Sequence, residues 1–147
     1  MEYRKDKRTK NLTLRDIHVG DWVQVWSEQA GRYSPPLKII QICDDGTIYL
    51  VTSDEERPTP WEEDIKNVDA LPITPELLKG FGFEVAYIGN TQYVGYNGKY
   101  FGGIIPIIHK SHYELAVHNL VFRYMHEFTE YLFDKPNINL EWKGIEK

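Results

Sequence analysis

The chain has 147 residues, 41% hydrophobic and 14% aromatic, with a formal net charge of −5. That much apolar matter supplies a core and excludes disorder of the whole chain, while the length admits one domain or two small modules. The charge is uneven: residues 1–10 carry +3, through Arg4, Lys5, Lys7, Arg8 and Lys10 against Glu2 and Asp6, which leaves −8 for the rest.

An acidic body disfavours nucleic acid as a partner, because phosphate neutralisation supplies much of that affinity. The basic tail, residues 1–11, reads as a frayed, flexible terminus that still permits contact with RNA or DNA. No apolar run approaches the roughly 20 residues needed to span a membrane. The charged start has no apolar region behind it and is not expected to be a signal peptide. Cys43 is the single cysteine. It has no internal disulfide partner, which suits a reducing cytoplasm, and it is expected to be buried rather than nucleophilic.

Leu12–Ile17 reads as a short turn plugging one end of a small β-barrel. The barrel itself opens at Val19–Val51. In Asp21–Trp26, Val23 and Val25 alternate with Trp22, Gln24 and Trp26, so the two sets face opposite sides of a strand. Ser27–Pro36 is its longest loop, and Arg32 and Tyr33 on it are candidate contact residues. Leu37–Cys43 is apolar on both faces, which predicts a bent or bulged strand. Asp45-Gly46 signals a hairpin, expected as type I′, before Ile48 and Leu50 alternate with Tyr49 and Val51. Ser53–Pro60 is a polar loop with an acidic cluster. Ile65 and Val68 return to the barrel, and Leu71-Pro72-Ile73 leaves it.

Thr74-Pro75-Glu76 predicts a helix start: Thr74 caps, Pro75 fits the first turn and Glu76 favours the positive end of the dipole. Leu77 and Leu78 are its buried positions and Gly80 its expected stop. From Phe83 the period returns to two. Gly89-Asn90 and Asn97-Gly98 predict turns, Gly102-Gly103 a bulge, Pro106 an edge position, and Tyr113–Val117 a further strand. Leu120–Phe133 carries a helical stripe of Val121, Tyr124, Met125, Phe128, Tyr131 and Leu132. Asp134–Pro136 ends it, and Ile138, Leu140 and Trp142 alternate as a last strand. The expected class is α+β: an SH3-like β-barrel over 12–73, then a 74–147 extension of a short helix, antiparallel hairpins and an amphipathic helix, packed on the barrel as one cooperative unit.

Four blocks, VGDWV at Val19–Val23, DGTIYL at Asp45–Leu50, DALPITPELL at Asp69–Leu78 followed by Gly82-Phe83, and YMHEF at Tyr124–Phe128, together resemble a family of small uncharacterised proteins of gut bacteria and their prophages. The resemblance runs from about Leu12 to Trp142. It implies an N-terminal SH3-like barrel and brings no catalytic residue with it.

Several constellations bear on function. His109, His112, His118 and His126 lie near Glu114, Glu127 and Glu130. His126-Glu127-x-x-Glu130 differs by one residue from the zincin helix motif, whose second histidine is replaced here by Glu130; surface or interface histidines are the plainer reading. The aromatics say more. Trp22 and Trp26 share a strand face and are either covered or form a contact patch, and Tyr93, Tyr96, Tyr100 and Phe101 cluster around Asn97-Gly98. Glu55-Glu56 and Glu62-Glu63 read as solubilising acids. There is no Gly-rich phosphate loop, nucleophile elbow or paired-cysteine motif. The expectation is therefore a non-enzymatic protein-interaction or self-association module without cofactor or metal. Its candidate binding residues are Trp22, Trp26, Arg32, Tyr33, Tyr93, Tyr96 and Tyr100. A nucleic-acid-binding barrel and a metal-dependent hydrolase are the alternatives.

Overall fold

β-Branched and aromatic residues concentrate in the first strand, β1 (Trp22–Ser27), and every residue from Trp22 to Trp26 is buried. In the computed structural model, which describes residues 9–52, 60–88, 91–107, 112–135, 138 and 140–144, the chain divides into two units, 1–71 and 72–147. Both are built on antiparallel sheet; the first also has a 3-10 turn at Ile65–Asn67, and the α-helices belong to the second. Among the described residues no helix is long and apolar enough to cross a membrane.

In the first unit, β1 is shared by three antiparallel neighbours. β2 (Arg32–Tyr33) pairs with its end, β3 (Leu37–Ile42) with its start, and β6 (Val68–Asp69) with its middle. The order continues through β4 (Thr47–Val51) to β5 (Trp61–Asp64) at the edge, and the sheet is curled. Val23, Leu37, Ile39, Ile48, Leu50 and Val68 form its fully buried apolar set, with Leu12 and Ile17 of the N-terminal turn also buried. Because β1 has both faces covered, Trp22 and Trp26 do not form an exposed patch; they are 1% and 3% exposed. The bulge expected in Leu37–Cys43 is at Ile40, the extra residue between the Ile39↔Leu50 and Gln41↔Tyr49 pairs. It turns outward and is exposed.

The hairpin after β3 is not type I′. Gly46 has φ +94°, whereas neither Asp44 nor Asp45 has a positive φ, and type I′ needs both central residues there. The Gly46 N–H donates to the Cys43 carbonyl, and Cys43 N–H to that of Thr47. This is a three-residue loop closed by glycine. The reason is Asp45: its carboxylate accepts from the Thr47 N–H at 3.0 Å, which satisfies a local turn without a left-handed aspartate. That donor is the leading reason the Asp45 carboxyl is held below its ordinary range. Cys43 lies just past β3 at this turn and is half-buried, with its Sγ 3.7 Å from Gln41 Nε2, not buried in the barrel as expected.

The second unit opens with α1 (Pro75–Gly80), capped as expected: Thr74 Oγ1 accepts from Leu77 N–H at 3.1 Å. Its stop is displaced. Gly80 is the last helical residue, and the aromatic edge of Trp142 packs so close that a Cβ there would lie 2.2 Å from Cζ3. Gly82, at φ +93°, turns the chain, with Gly82 N–H bonded to Lys79 O and Phe83 N–H to Leu78 O.

A five-stranded sheet follows in the order β11-β10-β9-β8-β7: β7 (Glu84–Ile88), β8 (Thr91–Tyr96), β9 (Lys99–Ile107), β10 (His112–Val117) and β11 (Leu120–Phe122). Asn97 and Gly98 both take positive φ, as a two-residue hairpin loop requires. Gly89-Asn90, expected as a turn, lies outside the described residues, as do Ser53–Thr59, His109 and Pro136. The bulged residue is Phe101, not the glycine pair, because Gly95 pairs Tyr100 while Val94 pairs Gly102. Pro106 sits in the central strand β9, not at a sheet edge; it pairs Tyr113, and the β8 register ends at Gln92↔Ile104, so β9 needs no donor from it on that side.

The helix expected over Leu120–Phe133 begins later. Leu120–Phe122 pairs with β10, through a two-residue loop in which His118 has φ +55°. The helix α2 spans Met125–Tyr131, with a 3-10 turn at Leu132–Asp134. Hence Val121 and Phe133 are exposed, while Met125, Phe128 and Leu132 are buried. Residues 140–144 form no strand. Lys143 N–H makes a single bond to Gly80 O, and Trp142 stacks edge-on against Phe81 at 5.0 Å.

Two candidate binding sites

Each unit carries a cavity of its own. The larger, about 1060 Å³, is a cleft in the first unit between the Ser27–Pro35 loop and the stretch Trp61–Asn67. The period-two pattern of β5 turns Trp61 and Glu63 into this cleft, and both line it. Trp26, Tyr33 and Pro35 supply the opposing apolar wall, and Glu28, Arg32, Glu63 and Lys66 set charges of both signs around it. The Trp26 and Tyr33 rings meet edge-on, 4.9 Å apart at 67°, an arrangement favoured by the ring quadrupoles.

Tyr33 is held by a polar network beneath the cleft. Its hydroxyl donates to Asp69 Oδ2 at 2.7 Å and accepts from the Thr9 N–H. Asp69, fully buried, also accepts from Asn11 Nδ2 at 3.0 Å. Asn11 Nδ2 donates further to Val68 O at 2.9 Å, and Gln24 Nε2 to Ala70 O at 3.0 Å. Thr9–Leu12 is pinned alongside by Ala70 N–H to Lys10 O and Leu12 N–H to Val68 O. Burial pushes the Tyr33 hydroxyl above its ordinary value, with the Asp69 carboxylate adding to the rise against the opposing Thr9 bonds.

The other hydroxyls at the cleft are committed to the backbone. Ser34 Oγ accepts from Val25 N–H at 2.9 Å and donates to Pro35 O at 2.8 Å, and Ser27 Oγ accepts from Ala30 N–H at 3.1 Å.

The second cavity, about 490 Å³, lies over β9 and β10 of the second unit, walled by Tyr93, Tyr100, Phe101 and Tyr131 with His118 and Lys135. Behind it, Phe128 is the hub of a ring cluster, 5.7 Å from Phe83, 5.7 Å from Phe101 and 5.5 Å from Phe122.

The residues singled out in the sequence therefore separate. Trp26, Arg32 and Tyr33 meet at the cleft, and Tyr93 and Tyr100 at the second cavity. Trp22 is buried away from the cleft lining, and Tyr96 packs on Phe83 at 5.2 Å. Sequence reasoning missed Trp61, Glu63 and Lys66; the alternation of Trp61 and Glu63 was the available signal. It also missed Tyr131, His118 and Lys135. Of the histidines, His112 Nε2 faces Glu114 Oε2 at 3.0 Å, His118 sits exposed in its turn, and His126 is buried with its ring stacked on Tyr124 at 6.1 Å. Among known proteins, no family model, no curated protein and no solved structure matches this chain.

Proposed function

We propose that the protein is a non-enzymatic interaction module whose first unit is an SH3-like barrel, and that its cleft grips a short extended segment of a partner protein. The observation that carries this is the convergence of Trp26, Tyr33, Trp61 and Pro35 on one cleft with charges of both signs at its margins. Small-molecule pockets run to roughly 1,000 Å³. A cleft at that limit, open along an edge strand, suits a chain segment better than a compact ligand. Aromatic-lined grooves take proline-bearing extended segments because these are already stiff and lose little entropy on binding. Exposed tryptophan and tyrosine are also the side chains that dominate protein interfaces.

Nucleic acid is the weaker alternative: Glu28 and Glu63 offset Arg32 and Lys66 at the cleft, and the chain is acidic overall. The test is selection of a random-peptide display library on the full chain, with the Trp61→Ala variant as counter-selection. Trp61 is 39% exposed, so its removal spares the core. The expected result is enrichment of proline-containing sequences that bind about tenfold or more weakly to Trp61→Ala. Peptides that bind both proteins equally, or an oligonucleotide bound at low salt in their place, overturn it.

A further inference from the structure

The second cavity has a composition unlike the cleft. Four rings surround it, its charged lining is cationic, and among the described residues no carboxylate lines it. At about 490 Å³ it falls within the roughly 300–1,000 Å³ of small-molecule pockets. Its floor is open because β9 carries glycine there. A Cβ on Gly103 would meet the Gln92 carbonyl oxygen at 3.6 Å, an ordinary contact, and Gly103 does not take a positive φ. The backbone thus does not demand glycine at 103. The neighbouring Gly102 differs, since a Cβ there would lie 2.4 Å from Ala116 O. The missing side chain at 103 leaves that part of the cavity lining to backbone, while the Tyr93 and Tyr100 rings pack on each other at 5.9 Å and 57° as one aromatic wall.

At the cavity wall Lys135 Nζ lies 4.5 Å over the Tyr131 ring and 3.1 Å from Asp134 Oδ1. Asp134 is 81% exposed on its side chain, so that pair is screened by water and yields readily to a better anion. An aromatic wall, a cavity of small-molecule size and an ammonium at its margin select one chemistry. We infer that this cavity binds a small planar ring bearing an anionic group, an aromatic carboxylate or a nucleoside monophosphate, with the ring against Tyr93 and Tyr100 and the anion on Lys135.

The inference rests on the second unit alone and stands apart from the peptide reading of the cleft. The test is an amide-resonance NMR titration of the full chain with benzoate and with adenosine monophosphate. Benzamide, adenosine and cyclohexanecarboxylate are the controls. The expected result is saturable shifts at Gly103 and Ala116 with at least one anion, about tenfold tighter than its neutral counterpart. Cyclohexanecarboxylate, which has the charge without the flat ring, binds no better than the neutral controls. Benzoate alone identifies a carboxylate ligand, and the nucleotide alone a phosphate one. Gly103→Val, which fills the floor with a strand-favouring side chain, and Tyr100→Ala, at a position 72% exposed, each weaken binding about tenfold. Lys135→Gln brings the anion down to the affinity of its neutral counterpart. Absence of shifts with both anions overturns the inference, as does wild-type affinity in Tyr100→Ala or equal binding of cyclohexanecarboxylate.

Discussion

The two cavities are held open by different physics. The wall of the cleft is positioned by hydrogen bonds: Tyr33 is fixed through Asp69, Thr9 and Asn11, groups drawn from distant parts of the chain. The wall of the second cavity is positioned by ring packing, with Phe101 and Tyr131 leaning on Phe128 at 5.7 Å and 6.4 Å. Directional bonds fix one side chain in one orientation and are costly when half-satisfied. Ring clusters fix volume and tolerate sliding, and are costly when a ring is removed. The cleft is thus vulnerable to polar changes and the cavity to changes in volume.

The largest effect follows from that contrast. Phe128 is completely buried and touches rings on several sides. Phe128→Ala is expected to cost about 3–5 kcal/mol, read from urea denaturation, and to slacken the second cavity. A loss below about 1 kcal/mol means the ring cluster is not what holds this unit. Next, and in the first unit, comes Gly46→Val. It forces a β-branched residue to φ +94° and sets its Cβ 3.3 Å from Ile65 Cγ2, at an expected cost of about 1–3 kcal/mol. Because Ile65 N–H is bonded to Gly46 O at 2.8 Å, the strain also reaches the 3-10 turn that carries Lys66 into the cleft. An unchanged melting temperature refutes the left-handed glycine.

How much of this was legible before the structure depends on range. Features set by a few adjacent residues were readable: the Thr74 cap, the Asn97-Gly98 turn, the glycine at 46 and the bend in β3. Leu120–Phe133 shows where local pattern misleads. Val121, Tyr124, Met125 and Phe128 sit at helical spacing, but the His118-Asn119 loop draws Leu120–Phe122 into pairing with Leu115–Val117. Three residues are too few for a period of two to outvote the helical stripe. The sites were the least legible part. The cleft is assembled from residues 25–35 and 61–67, and the second cavity from four separate stretches between 93 and 135. Arg32, Tyr33, Tyr93 and Tyr100 were visible as unplaced aromatics and charges; what they would meet depends on sheet order, which no local signal encodes.

A smaller effect tests the second unit at its entrance. Thr74→Ala removes the 3.1 Å bond to the Leu77 N–H and is expected to cost about 1 kcal/mol. Thr74→Ser keeps an oxygen in reach and is expected to recover most of it. If serine and alanine behave alike, the methyl group and not the cap bond is what Thr74 contributes.

The smallest expected effect sharpens the comparison most, because it isolates the polar side of it. Burial, reinforced by Asp69, holds the Tyr33 hydroxyl above its ordinary value. In the unfolded chain that hydroxyl ionises near a pH of about 10. Above that pH the folded state keeps a proton that the unfolded state has released. Stability contributed by Tyr33 is therefore fully present below about pH 10 and declines as pH rises toward the folded value. Tyr33 is only half-buried, so the slope is shallow. Tyr49 rises in the same direction because of the Glu62 carboxylate. The difference between the wild type and Tyr33→Phe removes such shared contributions. Urea midpoints measured across the alkaline range are expected to fall less steeply for Tyr33→Phe. The same variant loses the bond to Asp69 while keeping its ring in the cleft, so it is also expected to be slightly less stable at neutral pH. Parallel slopes for the two proteins mean that the Asp69–Tyr33 bond does not set the position of the cleft wall, and the contrast between a cleft held by bonds and a cavity held by rings fails.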